Sequence, residues 1–145
     1  MTRANINFVY QNMGESPRTL FFYYNGDQYP TGLRDSFNVL DFVRLEKWTP
    51  EAFKNWISTN YTETKRVVKK GKNITMEYNK QTETPAKVKD LGESGQPKIY
   101  YTNGFITDYS YIFSGDHRQV LVYNWSKRIF KGSAKKFETW IKKQK

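Results

Sequence analysis

Two sets of residues in this chain have types and spacings suited to chemistry. The first joins Arg3 and Asn5 to Tyr23 and Tyr24, and to Asp27, Tyr29 and Arg34 around the turn-rich segment that follows. A guanidinium grips phosphate oxygens with paired N–H donors, an amide adds directional hydrogen bonds, and aromatic faces stack on a base. Together with a helix N-terminus near Gly32, such groups suit a phosphorylated, base-bearing ligand. The same residues also allow a structural role, in which Arg3 pairs with Asp27 or Asp35 and braces the first hairpin. The second set is basic. Lys65, Arg66, Lys69, Lys70 and Lys72 form one cluster, and Lys127, Arg128, Lys131, Lys135, Lys136, Lys142, Lys143 and Lys145 form another. Summed positive potential draws in polyanions at range. A lysine-rich solvated face that only keeps a protein soluble has the same composition.

Other chemistries are closed off by what the 145 residues lack. With no cysteine, disulfides, thiolate metal sites and cysteine nucleophiles are excluded, and the single His117 rules out histidine clusters. His117 lies in the polar segment Ser114-Gly115-Asp116-His117-Arg118. It reads as a surface turn residue, with no nucleophile elbow nearby. The aspartates do not form a closely spaced oxygen cluster, and neither G-x-x-x-x-G-K-[ST] nor G-x-G-x-x-G occurs. No catalytic residue, metal ligand or cofactor is therefore assigned. A small metal-dependent phosphodiesterase or nuclease is the reading that would use Asp27, Asp108, Asp116 or His117.

The charge is unevenly spread. Residues 1–60 carry six basic and six acidic side chains, whereas residues 61–145 carry 18 basic and eight acidic, so the whole net charge of +10 lies in the second part. Hydrophobic residues make up 37%, concentrated in 11 Tyr, 10 Phe and 4 Trp, enough for one core and one α+β domain over residues 1–145. No apolar run reaches the roughly 18 residues that span a bilayer, so no membrane partner is expected.

The elements that must position these residues follow from periodicity. Ala4, Ile6, Phe8 and Tyr10 alternate with polar neighbours as in a half-buried strand, and Thr19–Tyr24 is an apolar run of strand length. Leu33, Phe37, Leu40 and Val43 recur at helical spacing, which predicts a helix from Leu33 to Lys47. Thr49-Pro50-Glu51 starts a second helix with a capping hydroxyl, a proline and an acid, and presents Phe53, Trp56 and Ile57 on one face. Ser133 to Ile141 repeats that recipe as a basic helix over 133–143. Residues 65–72 continue a helix or start a strand, Ile74–Tyr78 alternates as a short strand, and 81–97 reads as a long exposed loop. Ile99–Phe113 and Gln119–Trp125 form a hairpin. The sum is an α+β fold with a mostly antiparallel sheet of about four to five strands and two or three helices on one face.

Thr2-Arg3-Ala4-Asn5-Ile6, the aromatic strand Phe21–Tyr24 and the loop Asn25–Gly32 also carry a resemblance. They are similar to a family of small, largely uncharacterised phage, prophage and archaeal proteins that open with S-T-R-A-N-I and carry Y-R-H-x-D-G-Y-P-x-G after the second strand. The segment Tyr109–Trp125 resembles the second half of that family. Here Asn25-Gly26-Asp27-Gln28-Tyr29 stands where the family has D-G-Y, and Tyr24-Asn25 replaces its Arg-His pair. The resemblance implies a phage-type accessory protein acting on host defence in the host cytoplasm. The resulting expectation is a non-enzymatic protein that binds a phosphate-bearing ligand, either a nucleotide signal or nucleic acid. Its alternative is an inhibitor that docks on an acidic host protein through the lysines. A homo-oligomer is compatible with either.

Overall fold

The structure is a computed structural model that describes residues 4–24, 38–67, 80–93, 95–99, 101–102, 105–106 and 108–143. The alternating first segment forms β1 (Ala4–Tyr10) and the aromatic run forms β2 (Arg18–Tyr24), paired antiparallel from Ala4 opposite Tyr24 to Tyr10 opposite Arg18. Helices α1 (Asn38–Val43) and α2 (Pro50–Asn60) follow, then strands β3 (Thr62–Val67), β4 (Lys80–Pro85) and β5 (Lys89–Glu93). Short strands β6 (Tyr101–Thr102) and β7 (Phe105–Ile106) precede β8 (Tyr109–Ser114), β9 (Gln119–Asn124), β10 (Lys127–Ser133) and helix α3 (Ala134–Lys142).

The main sheet runs β10-β9-β8-β1-β2-β5, and it is antiparallel except where β1 lies parallel to β8. The pairs β3–β4 and β6–β7 are separate two-stranded ladders. The α+β class holds, but the sheet has six strands rather than four or five. The two additional strands are its edges. β5 lies within 81–97, where prolines and glycines read as a loop, and β10 lies within a basic cluster whose charge masks a strand pattern. Ile74–Tyr78 and the first part of the helix expected from Leu33 lie outside the described residues.

One face of the sheet carries the three described helices. Ala4, Ile6, Phe8, Phe22, Tyr111, Phe113, Val120 and Val122 pack against Phe42, Phe53, Ile57, Phe137 and Ile141 in a single cluster. Phe42 is its hub, with ring centroids 5.9 Å from Phe8, 5.3 Å from Trp48, 5.5 Å from Phe53, 5.3 Å from Trp56 and 5.1 Å from Phe113. The β8–β9 turn presses on this cluster. A β-carbon at Gly115 would stand 2.7 Å from the Phe8 ring, so only glycine permits that approach.

Helix α1 stops at Val43, short of the Lys47 end that periodicity predicts. The cause is Arg118, whose backbone takes a φ of +48° in the β8–β9 turn. Its guanidinium donates to the carbonyls of Glu46 at 2.8 Å, Leu45 at 3.0 Å and Val43 at 3.4 Å, and it sits 4.8 Å from the centre of the Trp48 ring. The Val43 carbonyl is an orphan acceptor of the helix end and those of Leu45 and Glu46 belong to the connection just past it, so the guanidinium holds the chain in its turn away from the helix, where a cation also complements the helix dipole. Replacing Arg118→Ala should lower stability by about 2 kcal/mol in chemical denaturation, the scale of lost charge-assisted hydrogen bonds to partly buried carbonyls.

Among the described residues, Trp48 Nε1, Trp56 Nε1 and the Tyr61 hydroxyl are buried without a hydrogen-bond partner. Burial, together with nearby Tyr24, pushes the Tyr61 phenol well above its ordinary value. Tyr61 therefore stays neutral in the folded protein while the unfolded chain ionises above about pH 10, so stability falls as pH rises beyond that point. A Tyr61→Phe variant should gain about 1 kcal/mol, because an unpaired buried hydroxyl is removed. Its alkaline unfolding limb should also be flatter in pH-dependent melts.

Candidate functional site

The period of a strand decides the fate of the N-terminal constellation. Asn5 faces away from the helices and is fully buried, with its side-chain amide donating to the Lys98 carbonyl at 3.4 Å. Asn7 clamps the same residue more tightly, donating to the Lys98 carbonyl at 3.0 Å and accepting from the Lys98 N–H at 2.9 Å. Thr19 donates to the Gly95 carbonyl at 2.7 Å, so residues 95–99 form a strap held across the second face of the sheet. Tyr24 pairs with Ala4 and therefore lies on the helix face, its ring 4.9 Å from Tyr61 and 6.3 Å from Phe22. Asn5 and Tyr24 thus occupy opposite faces and do not converge, whereas Tyr23 lies directly opposite Asn5 on its face, and the Asn5 amide holds backbone. Arg3, Asp27, Tyr29 and Arg34 lie outside the described residues.

The two basic clusters are carried by different sheets. Lys65 and Arg66 fall on β3, paired with Thr82 and Gln81 of β4, and that ribbon leads into β5 at one edge of the main sheet. Lys69 and Lys70 lie outside the described residues. Lys127, Arg128 and Lys131 fall on β10, the opposite edge, and Lys135 and Lys136 on α3 beyond it. All five of these side chains are exposed, as are Lys142 and Lys143.

Packing brings the second cluster into one rim. Lys136 lies over Gly132, whereas Phe137 and Trp140 both meet Phe130, at 5.7 and 4.9 Å between ring centroids. As numbers fall along β10 they rise along α3, so the helix runs back beside its own strand. Its lysine-bearing C-terminus points toward the β9–β10 turn. Gly132 permits this approach, since a β-carbon there would stand 2.9 Å from the Phe130 ring and 3.3 Å from the Lys136 β-carbon. A bulge between Arg128 and Phe130 turns Arg128 to the face of Tyr123, away from Phe130, so the edge carries charge on both faces of the sheet.

Residues 127–143 hold seven basic side chains against one acid, Glu138, which pairs with Arg44 at 3.4 Å. Among the described residues none of the seven is in an ion pair. The groove along α3, about 380 Å³, is lined by Ser133, Lys135, Lys136, Thr139, Trp140 and Lys143 and is open to solvent. On the other flank, a second open groove of about 400 Å³ runs between the helix and Arg44 and Arg118. Ser133 caps α3 by accepting from the Lys136 N–H at 3.2 Å. Its first turn contains no acid. Lys135 and Lys136 occupy it instead, where the positive end of the helix dipole disfavours cations by about 0.3–1 kcal/mol each.

Trp125 is the member of this region that composition and periodicity passed over. It sits in the two-residue connection between β9 and β10, is 51% exposed, and has a φ of +57°. Its N–H donates to the Asp108 carbonyl at 2.9 Å. The signal was present in Asn124-Trp125-Ser126-Lys127, a tight turn without glycine, but it becomes visible only once β10 is known to be a strand.

Among the described residues the carboxylates do not gather. Asp108 and Asp116 flank opposite ends of β8, about 20 Å of strand apart, so these two cannot share an ion. His117 is exposed in its turn, and among the described residues no group of three or more His, Asp or Glu side chains could hold a metal. Scans against protein-family models, curated proteins and solved structures found no match to this chain.

Proposed function

We propose that the protein is a non-enzymatic accessory protein that binds a phosphate-bearing polymer, nucleic acid, along the rim formed by β10 and α3. The observation that carries this reading is the group of seven exposed cations on β10 and α3 that have no ion-pair partner among the described residues, two of them in a helix turn where the dipole disfavours them. Residues held against the dipole are explained by an anion that arrives later, since phosphate at a helix N-terminus meets both the lysines and the positive end of the dipole. Lys127, Arg128 and Lys131 also keep the β10 edge from pairing with a second copy, a role that needs charge but not the lysines of α3.

A polymer is preferred to a free nucleotide because the cations are spread over about 13 Å of β10 and the length of α3 beside open grooves and do not converge on an enclosed pocket. The phage-type setting rests on the resemblance of Thr2–Ile6 and the segments that follow it. Thermal melts in the presence of inorganic polyphosphate, an oligonucleotide, and linear and cyclic mononucleotides test the proposal. Both polymers should raise the melting temperature at low salt, and the mononucleotides should not. A larger shift from any mononucleotide would move the site to an enclosed pocket, and no shift from either polymer would remove the proposal.

A further inference from the structure

Charge accounts for attraction to phosphate but leaves Trp125 unexplained. Bulky residues rarely adopt a φ near +57°, and tight hairpin turns needing positive φ ordinarily use Gly, Asn or Asp. Here a tryptophan takes that strain with its ring half exposed, although burying the ring would be favourable. Met13, the other large hydrophobic exposed among the described residues, lies in the β1–β2 turn at the opposite end of the sheet. Edge protection also fails to explain Trp125, because an exposed aromatic ring invites association where a lysine prevents it.

The turn is anchored rather than loose. The Trp125 N–H is fixed on Asp108, and the strands on either side pair from Asn124 opposite Lys127 onward. Lys127 and Arg128 follow within three residues and fall on opposite faces of the sheet, so the half-exposed indole stands at the end of the basic rim with a cation available on either face. That arrangement matches the chemistry of an unpaired nucleotide, whose base needs a stacking surface and whose flanking phosphates need positive charge. A base inside a duplex offers no free face, so a duplex would engage the lysines and leave Trp125 idle.

We infer that Trp125 is a stacking platform and that the rim recognises single-stranded nucleic acid in preference to duplex. This rests on the proposed function above and adds the state of the strand. The test is a binding titration with a mixed-sequence oligonucleotide of about 15 nucleotides, its duplex, and inorganic polyphosphate. It compares the wild type with Trp125→Gly and Trp125→Phe. The single strand should bind wild type more tightly than the duplex. Trp125→Gly should lose roughly tenfold or more of single-strand affinity with no change for duplex or polyphosphate. Trp125→Phe should keep most of the affinity, while the quenching of tryptophan emission seen with wild type disappears. The glycine variant should also melt higher than wild type, because its backbone tolerates positive φ, which separates lost binding from lost folding. Equal affinity for both strand forms, with Trp125→Gly unchanged, would overturn the inference and leave polymer binding intact. Absence of binding to all three probes would overturn both.

Discussion

A Phe42→Ala variant should lose about 3–5 kcal/mol of stability, the cost of deleting a buried phenyl ring from a site that cannot collapse. Phe42 is fully buried and meets five other rings drawn from β1, β8, α2 and the α1–α2 connection. Those rings belong to elements far apart in the chain, so they cannot follow one another into the space. The two indoles beside it, Trp48 and Trp56, carry buried N–H groups with no partner among the described residues, and any rearrangement must keep those out of a worse environment. Urea denaturation followed by tryptophan emission measures the loss. A cost below about 1 kcal/mol would mean that Phe42 does not close the core as described.

The second large effect lies at the rim. Changing Lys135, Lys136, Lys142 and Lys143 to Glu should weaken oligonucleotide binding by roughly 100- to 1,000-fold near 0.1 M salt, since each phosphate contact on a single strand contributes about 0.7 to the salt slope. The fold should survive. Glu at position 136 completes a capping box with Ser133, and Glu at 135 and 136 suits the dipole, which offsets the poorer placement at 142 and 143. A melting temperature within a few degrees of wild type, with binding gone, is the expected pair of results. If the variant still binds oligonucleotide, the β3 cluster or another surface is responsible. If it loses an acidic host protein while oligonucleotides never bound, docking on protein is the correct use of these lysines.

How far the sequence reached depended on whether a pattern was local. The β1–β2 hairpin, the caps at Thr49 and Ser133 and the buried faces of α2 and α3 were legible because a period of two or 3.6 and a capping hydroxyl act within a few residues. β5 and β10 were not, because edge strands need little hydrophobicity on their outer side. Their signals, Lys89-Asp90-Leu91-Gly92-Glu93 and Lys127–Ser133, resemble loop and charge cluster. The early end of α1 is a tertiary effect of Arg118, 75 residues from the carbonyl of Val43. The convergence expected of Asn5 with Tyr24 failed on strand parity, because Asn5 opposes Tyr23, and on a strap at 95–99 that claims the amide. Conversely, the importance of Trp125 depends on a backbone angle and an exposure that no composition records.

Polymer binding through the β10–α3 rim is tested most directly by the salt dependence of single-stranded oligonucleotide affinity for the unmodified protein. With up to seven cations available at about 0.7 each, the plot of log K against log salt should fall with a slope between about −3 and −5. A slope near zero, or no measurable binding at low salt, would contradict the account.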